Sequence, residues 1–177
     1  MIFLGIDPGL TGALAVLDSE TKAISFFDTP TVQIKVGKKI KNQQDVYAIV
    51  SLLRSIVDGK DVMAVIEKVN AMPGVGADGA RQTMGATSAF NFGMGYGQWL
   101  GILAALQIPH QQVHPRTWKT AMMADMGKEK DASRVKAMQL FPYTANDLTR
   151  KKDHGRADAL LIAAWAMKMS TTSLGKF

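Results

Sequence analysis

At 177 residues the chain has the size of one ordinary domain, large enough to bury a core without metal or disulfide staples. It contains no cysteine, which excludes disulfides, thiolate zinc sites and cysteine nucleophiles and is compatible with a reducing compartment. A net charge of +6 points to a polyanion or an acidic surface, yet no apolar run approaches membrane-spanning length and no signal-peptide pattern opens the chain, so a soluble intracellular protein is expected.

Ile2, Phe3, Leu4 and Ile6 form an apolar run of strand length, and Asp7-Pro8-Gly9 breaks it with a carboxylate and two turn formers. Ala13 to Leu17 reads as the returning hairpin strand, and Lys22 to Phe27 as a third strand completing an antiparallel meander. Thr29 to Gln43, with Lys35, Lys38, Lys39 and Lys41 around Gly37, is a hairpin or loop that either solubilises the surface or touches phosphate. Val46, Ile49, Val50, Leu53 and Ile56-Val57 recur at helical spacing, predicting a helix over 44–57, and Val62 to Ile66 predicts a second buried strand ending in Glu67.

Eight of the sixteen glycines fall between Asn70 and Gly101. They form neither a P-loop nor a dinucleotide fingerprint, so no nucleotide cofactor is expected. Met72 to Met94 reads as a loop, and a Gly-rich functional loop is expected over about 70–98. Its Phe90, Phe92 and Tyr96 either stack on exposed bases or seal the core beneath it. Trp99 to Leu106 marks a helix, His110 to Val113 a fifth strand, and Pro115 opens a helix carrying Lys119 toward the acid-bearing edge. Asp131 is an expected N-cap for a helix with Val135, Met138, Leu140 and Phe141 as its buried stripe, and Ala157 to Met169 is an Ala-rich closing helix with Asp158 in its first turn. The expected fold is therefore α/β: a mixed five-stranded sheet, antiparallel over its first three strands and parallel beyond, flanked by helices within one domain over 1–177.

Each acid has an ordinary explanation taken singly. Asp7 suits a turn that caps its own backbone, and Asp158 suits a helix N-terminus. Three carboxylates delivered by separate segments, with Asp153 or His154 as a fourth ligand, are also what Mg²⁺ needs, with Mn²⁺ as a substitute; two such ions can clamp the attacking and leaving oxygens of a phosphodiester. From His114 to Arg156 ten Lys and Arg face five acids, supplying +5 of the total charge. This clustering marks Lys119, Lys128, Lys130, Arg134, Lys151, Lys152 and Arg156 as candidate DNA contacts.

Ile6-Asp7-Pro8-Gly9, Ile66-Glu67, His114-Pro115 with Trp118-Lys119, Gly127-Lys128-Glu129-Lys130 and His154 to Leu160 resemble, in that order, the RuvC family of Holliday junction resolvases. The run Lys151 to Ala164 and Phe92-Gly93-Met94-Gly95-Tyr96-Gly97 are more similar to the chloroplast type called monokaryotic chloroplast 1, with relatives in bacteria and phages. The resemblance implies an RNase H-like fold, a homodimer, and Mg²⁺-dependent, symmetric nicking of four-way DNA junctions. The family's acids fall on Asp7, Glu67 and Asp158, while the spacing of Asp153 and His154 to Asp158 departs from the three-residue step common in bacterial RuvC. By analogy, Phe90 and Phe92 would enter the junction centre. Two rivals remain: a non-catalytic junction-binding protein, and an actin- or sugar-kinase-like ATPase, whose first phosphate motif Asp7 to Gly12 resembles but whose second lobe this chain lacks.

Overall fold

The structure is a computed structural model, described here for residues 1–69, 74–75, 81–82, 85–127, 129 and 131–174. Its central sheet contains β1 (Ile2–Asp7), β2 (Ala13–Asp18), β3 (Ile24–Asp28), β6 (Val62–Glu67) and β9 (His110–Val113) in the order β3-β2-β1-β6-β9. The first three strands are antiparallel, and β1–β6 and β6–β9 are parallel. Between β3 and β6 lie a separate hairpin, β4 (Thr31–Val36) with β5 (Lys39–Gln44), and the helix α1 (Val46–Val57). Gly37 at the hairpin tip has φ +63°, a left-handed conformation that glycine adopts without strain. Asp45 caps α1 by accepting from the Ala48 N–H at 3.0 Å.

Side-chain alternation along the strands builds a core on each face. On one face Leu4, Ile6, Leu14, Ala64 and Ile66 pack against Ile49, Leu53 and Ile56 of α1 and Trp99 and Leu103 of α2 (Ala86–Ala105). On the other, Phe3, Ala15, Leu17, Val65 and Val113 meet Trp118 of α3 (Pro115–Met122), Ala137 of α4 (Ala132–Leu140) and the buried length of α5 (His154–Leu174). Strand β1 lies against α5 with almost no spacing. A Cβ on Gly5 would collide with the Ala159 carbonyl oxygen and stand 2.6 Å from the Ala163 nitrogen.

Three expectations change. The Gly-rich segment is not a loop throughout: β7 (Gly74–Val75) pairs with β8 (Arg81–Gln82), and from Ala86 the chain is helical, so Phe90, Phe92 and Tyr96 sit on α2. Backbone hydrogen bonding along twenty residues and the burial of Trp99 and Leu103 outweigh the entropy cost of the four glycines inside it. In α4 the fully buried side chains are Ala132 and Ala137; of the expected stripe Met138 and Phe141 pack on the core, whereas Val135 and Leu140 are exposed. The closing helix begins at His154, three residues before its apolar run, after a 3₁₀ turn over Lys151–Asp153. No helix among the described residues is long and apolar enough to cross a membrane.

Candidate active site

Strand period and register bring the first two acids together. Phe3 and Val65 belong to the α5-side core, so Asp7 and Glu67, an even number of residues further on, point to that face. Ile6 pairs with Ile66 in the parallel ladder, which sets Asp7 and Glu67 side by side at adjoining strand ends. Helix α5 supplies Asp158 across that edge. A Cβ on Gly155 would lie 2.7 Å from the Thr11 carbonyl oxygen, so only glycine admits the backbone approach that seats the start of α5 on the β1–β2 turn.

All three carboxyls are held above their ordinary range. Burial lifts Asp7 to about 6, against the opposing hydrogen bond from the Gly9 N–H at 3.2 Å, with the Asp158 charge adding to the rise. Burial lifts Glu67 to about 7, although Trp118 Nε1 donates to Glu67 Oε2 at 2.7 Å. Burial also raises Asp158, opposed by the Ser133 hydroxyl. That hydroxyl lies 3.6 Å from Met123 Sδ, but the carboxylate is the stronger acceptor. The Lys119 ammonium lowers the pKa of all three acids, and His154 that of Asp7 and Asp158. The ordinary turn role of Asp7 and its place in the acid cluster are thus both present.

Among the described residues no three His, Asp or Glu side chains are already gathered tightly enough to hold a metal ion. In kind, however, the donors fit a hard divalent cation: the acids offer only oxygen, and Asp158 Oδ1 is buried with no hydrogen-bond partner. His154, exposed at the start of α5, is the nearby fourth candidate, its Nδ1 3.3 Å from the Lys151 carbonyl.

Asp153 is not part of this group. Only 2% exposed, it accepts from the Arg150 backbone N–H at 2.7 Å and from its guanidinium at 2.7 and 2.9 Å. Burial would raise its pKa, but these bonds outweigh burial and hold it low. The basic segment also divides. Arg134 donates to the Leu148 and Thr149 carbonyls at 3.0 and 3.2 Å and to Asp131 at 3.1 Å, tying α4 to the following turn. Asp131 stands at the N-cap position but makes no side-chain cap, since its carboxylate serves Arg134. Arg156 donates to Asp28 at 2.6 Å and to the Asp147 carbonyl at 3.3 Å. Both arginines, expected on DNA, are engaged by partners within the chain. Lys119, Lys151 and Lys152 are exposed, and Lys128 and Lys130 lie outside the described residues. Phe90 is 70% and Phe92 38% exposed.

Two contributors escape sequence reading. Trp118 stands in the motif, but its bond to Glu67 does not show there; Gln44, whose Nε2 donates to the Pro8 carbonyl at 2.7 Å, fastens the hairpin to the Asp7 turn. The one available signal is Gly5, a glycine inside an apolar strand, which marks a close backbone approach.

No family model matches the chain. Over 71 residues it is 48% identical to the chloroplastic Holliday junction resolvase MOC1 of Chlamydomonas reinhardtii, a match covering 40% of this chain and 8% of that protein's length. Among solved structures, T. thermophilus RuvC in complex with a Holliday junction substrate aligns over 97% of both chains, with a TM-score of 0.57 and 17% identity. The yeast mitochondrial Holliday junction resolvase Ydc2 aligns over 98% of this chain and 80% of its own, with a TM-score of 0.59 and 14% identity. The fold is that of RuvC. It is the RNase H-like arrangement, with the mixed five-stranded sheet expected from the sequence.

Proposed function

We propose that this chain is a structure-selective DNA endonuclease that resolves Holliday junctions inside the cell by metal-dependent, paired and symmetric phosphodiester hydrolysis. The observation that carries the reading is the meeting of Asp7, Glu67 and Asp158 with Lys119 at one edge of the RuvC-like sheet. The likeness of part of the chain to a chloroplastic resolvase supports the junction as substrate.

Asp7, Glu67 and Asp158, with His154, would hold Mg²⁺ or, in its place, Mn²⁺. Bound by these residues, such ions would supply Lewis-acid stabilisation of the oxygens of the phosphodiester and an acidified water. Lys119 brings a cation to the scissile phosphate, and Lys128, Lys130, Lys151 and Lys152 hold neighbouring phosphates. A cavity of about 570 Å³ beside the Asp7 turn is bordered by the hairpin, by Gln44 and by Phe92, which offers a ring on which an unstacked base can lie. Paired cuts require two sites, hence a homodimer. Gly93, Gly97 and Gly101 recur every four residues on the exposed side of α2 with open space before them, as a close helix-to-helix contact between two copies requires.

The test is incubation with a labelled four-way junction, with and without Mg²⁺. Asp7→Asn, Glu67→Gln and Asp158→Asn should each reduce cleavage by at least about a hundredfold, as loss of a metal ligand does, while junction binding in a gel-shift assay is retained. Binding without Mg²⁺-dependent nicking by the unmodified chain would favour the non-catalytic junction-binding protein. ATP hydrolysis without nicking would favour the ATPase.

A further inference from the structure

Trp118 is the largest side chain in direct contact with the acid cluster, and it is fully buried. Its indole N–H donates to Glu67 Oε2 at 2.7 Å, while the Lys119 ammonium stands 5.0 Å from the centre of its ring. One rigid residue therefore touches both an anion and the cation of the site. Its own position is fixed from both sides. The body packs in the α5-side core with Val113 and Leu160, and the backbone N–H donates to the His114 carbonyl at 3.4 Å in the first turn of α3. Glu67, at the C-terminal end of β6, pairs with Val113 across the ladder, so strand and helix meet through this hydrogen bond.

A buried tryptophan usually finds a partner for its N–H, and a backbone carbonyl would serve. Here the partner is an acid of the site. A hydrogen bond to one oxygen limits rotation of the carboxyl about its last torsion, which is otherwise broad. The ring face beneath Lys119 adds a weak attraction that favours one position of a flexible, exposed side chain.

We propose that Trp118 is a positioning residue that sets the orientation of Glu67, and with it the spacing between Glu67 and Lys119, so that the carboxylate is preorganised for a divalent cation. The inference rests on the metal-dependent reading given above and assigns a role to a residue outside the acid set. Groups that hydrogen-bond to metal ligands act in this way, and their loss typically weakens metal affinity by roughly 10- to 100-fold.

The test is Mn²⁺ binding to the full chain, read by electron paramagnetic resonance of the free ion without DNA, in the unmodified chain, Trp118→Phe, Glu67→Gln and the double variant. Trp118→Phe keeps an aromatic ring in the core and removes the N–H. It should weaken Mn²⁺ binding by about tenfold, raise the Mn²⁺ concentration needed for half-maximal cleavage similarly, and leave the KM for the junction unchanged. In the Glu67→Gln background the same substitution should add less than about a twofold further loss, because Trp118 acts through Glu67. Circular dichroism melts identify any variant that fails to fold; Trp118→His, which restores a ring N–H, should then recover part of the binding. Unchanged Mn²⁺ affinity in folded Trp118→Phe, or an equal loss with and without Glu67, overturns the inference alone. No Mn²⁺ binding by the unmodified chain overturns it together with the metal reading, while the cleavage assay judges junction resolution separately.

Discussion

At Asp7, Glu67 and Asp158 burial, more than any neighbouring charge, sets the protonation of the carboxyl. It carries Asp7 to about 6 and Glu67 to about 7 and raises Asp158 as well. A carboxyl whose folded pKa exceeds its unfolded value adds stability in full below the unfolded value and loses it as pH rises through the folded one. Without divalent ions, the chain should therefore lose stability between roughly pH 4 and pH 7, by an amount on the order of 3 kcal/mol for each of Asp7 and Glu67 at most. Asp153, held low by Arg150, acts the other way, and its contribution is lost as pH falls. Thermal melts in EDTA across this range should show the decline, and Glu67→Gln should flatten it. A decline as steep in Glu67→Gln would remove Glu67 as its source. The basic residues separate by the same kind of measurement. Arg134→Ala should cost about 2 kcal/mol, because it empties bonds to two backbone carbonyls, and should leave the salt dependence of junction binding unchanged. Lys119→Ala should leave the melting temperature nearly unchanged and lower the log-log salt slope by roughly 0.9.

At the scale of elements, the decisive contact is between β1 and α5. The helix is apolar around most of its girth and packs by small residues, Ala157, Ala159 and Ala163, against a strand that has a glycine opposite them. Such packing leaves no room for adjustment, because the atoms facing Gly5 belong to the backbone and cannot rotate away. Gly5→Ala should lower stability by about 3 kcal/mol and also move Asp158 away from Asp7. Urea unfolding should detect the first effect, and cleavage per folded molecule the second. Normal stability with normal cleavage would mean that the helix shifts freely and that this contact does not set the site.

Among the described residues, α2 carries an exposed stripe of glycines. Along α2, Gly93, Gly97 and Gly101 meet nothing within 4 Å, so glycine is not demanded there by packing within one copy. Gly97→Ala should stabilise an isolated monomer by roughly 0.5–1 kcal/mol through helix propensity. If two copies pack along this stripe, Gly97→Glu should instead shift the chain to monomers in sedimentation equilibrium and abolish paired cutting, with nicking of single strands retained. A dimer that persists in Gly97→Glu would move the interface elsewhere.

What the sequence determined by itself was the set of elements and the chemical kinds at their ends. Apolar runs of strand length, the amphipathic α1 and the acids closing β1 and β6 are local patterns, set by side-chain character and turn residues within a few positions. That is why the five-stranded sheet, with Asp7 and Glu67 at adjoining strand ends, was legible in the residues. The glycines of α2 misled, since backbone freedom is a local property and the packing of Trp99 and Leu103 that overrides it is not. Likewise nothing local shows that Arg156 is held by Asp28, which lies 128 residues away. Only the tertiary structure decided that Trp118 holds Glu67, and that Gly5 and Gly155 let α5 approach the strand edge. Each of these is a contact between surfaces that chain folding brings together, and its energy depends on distances that no run of residues encodes.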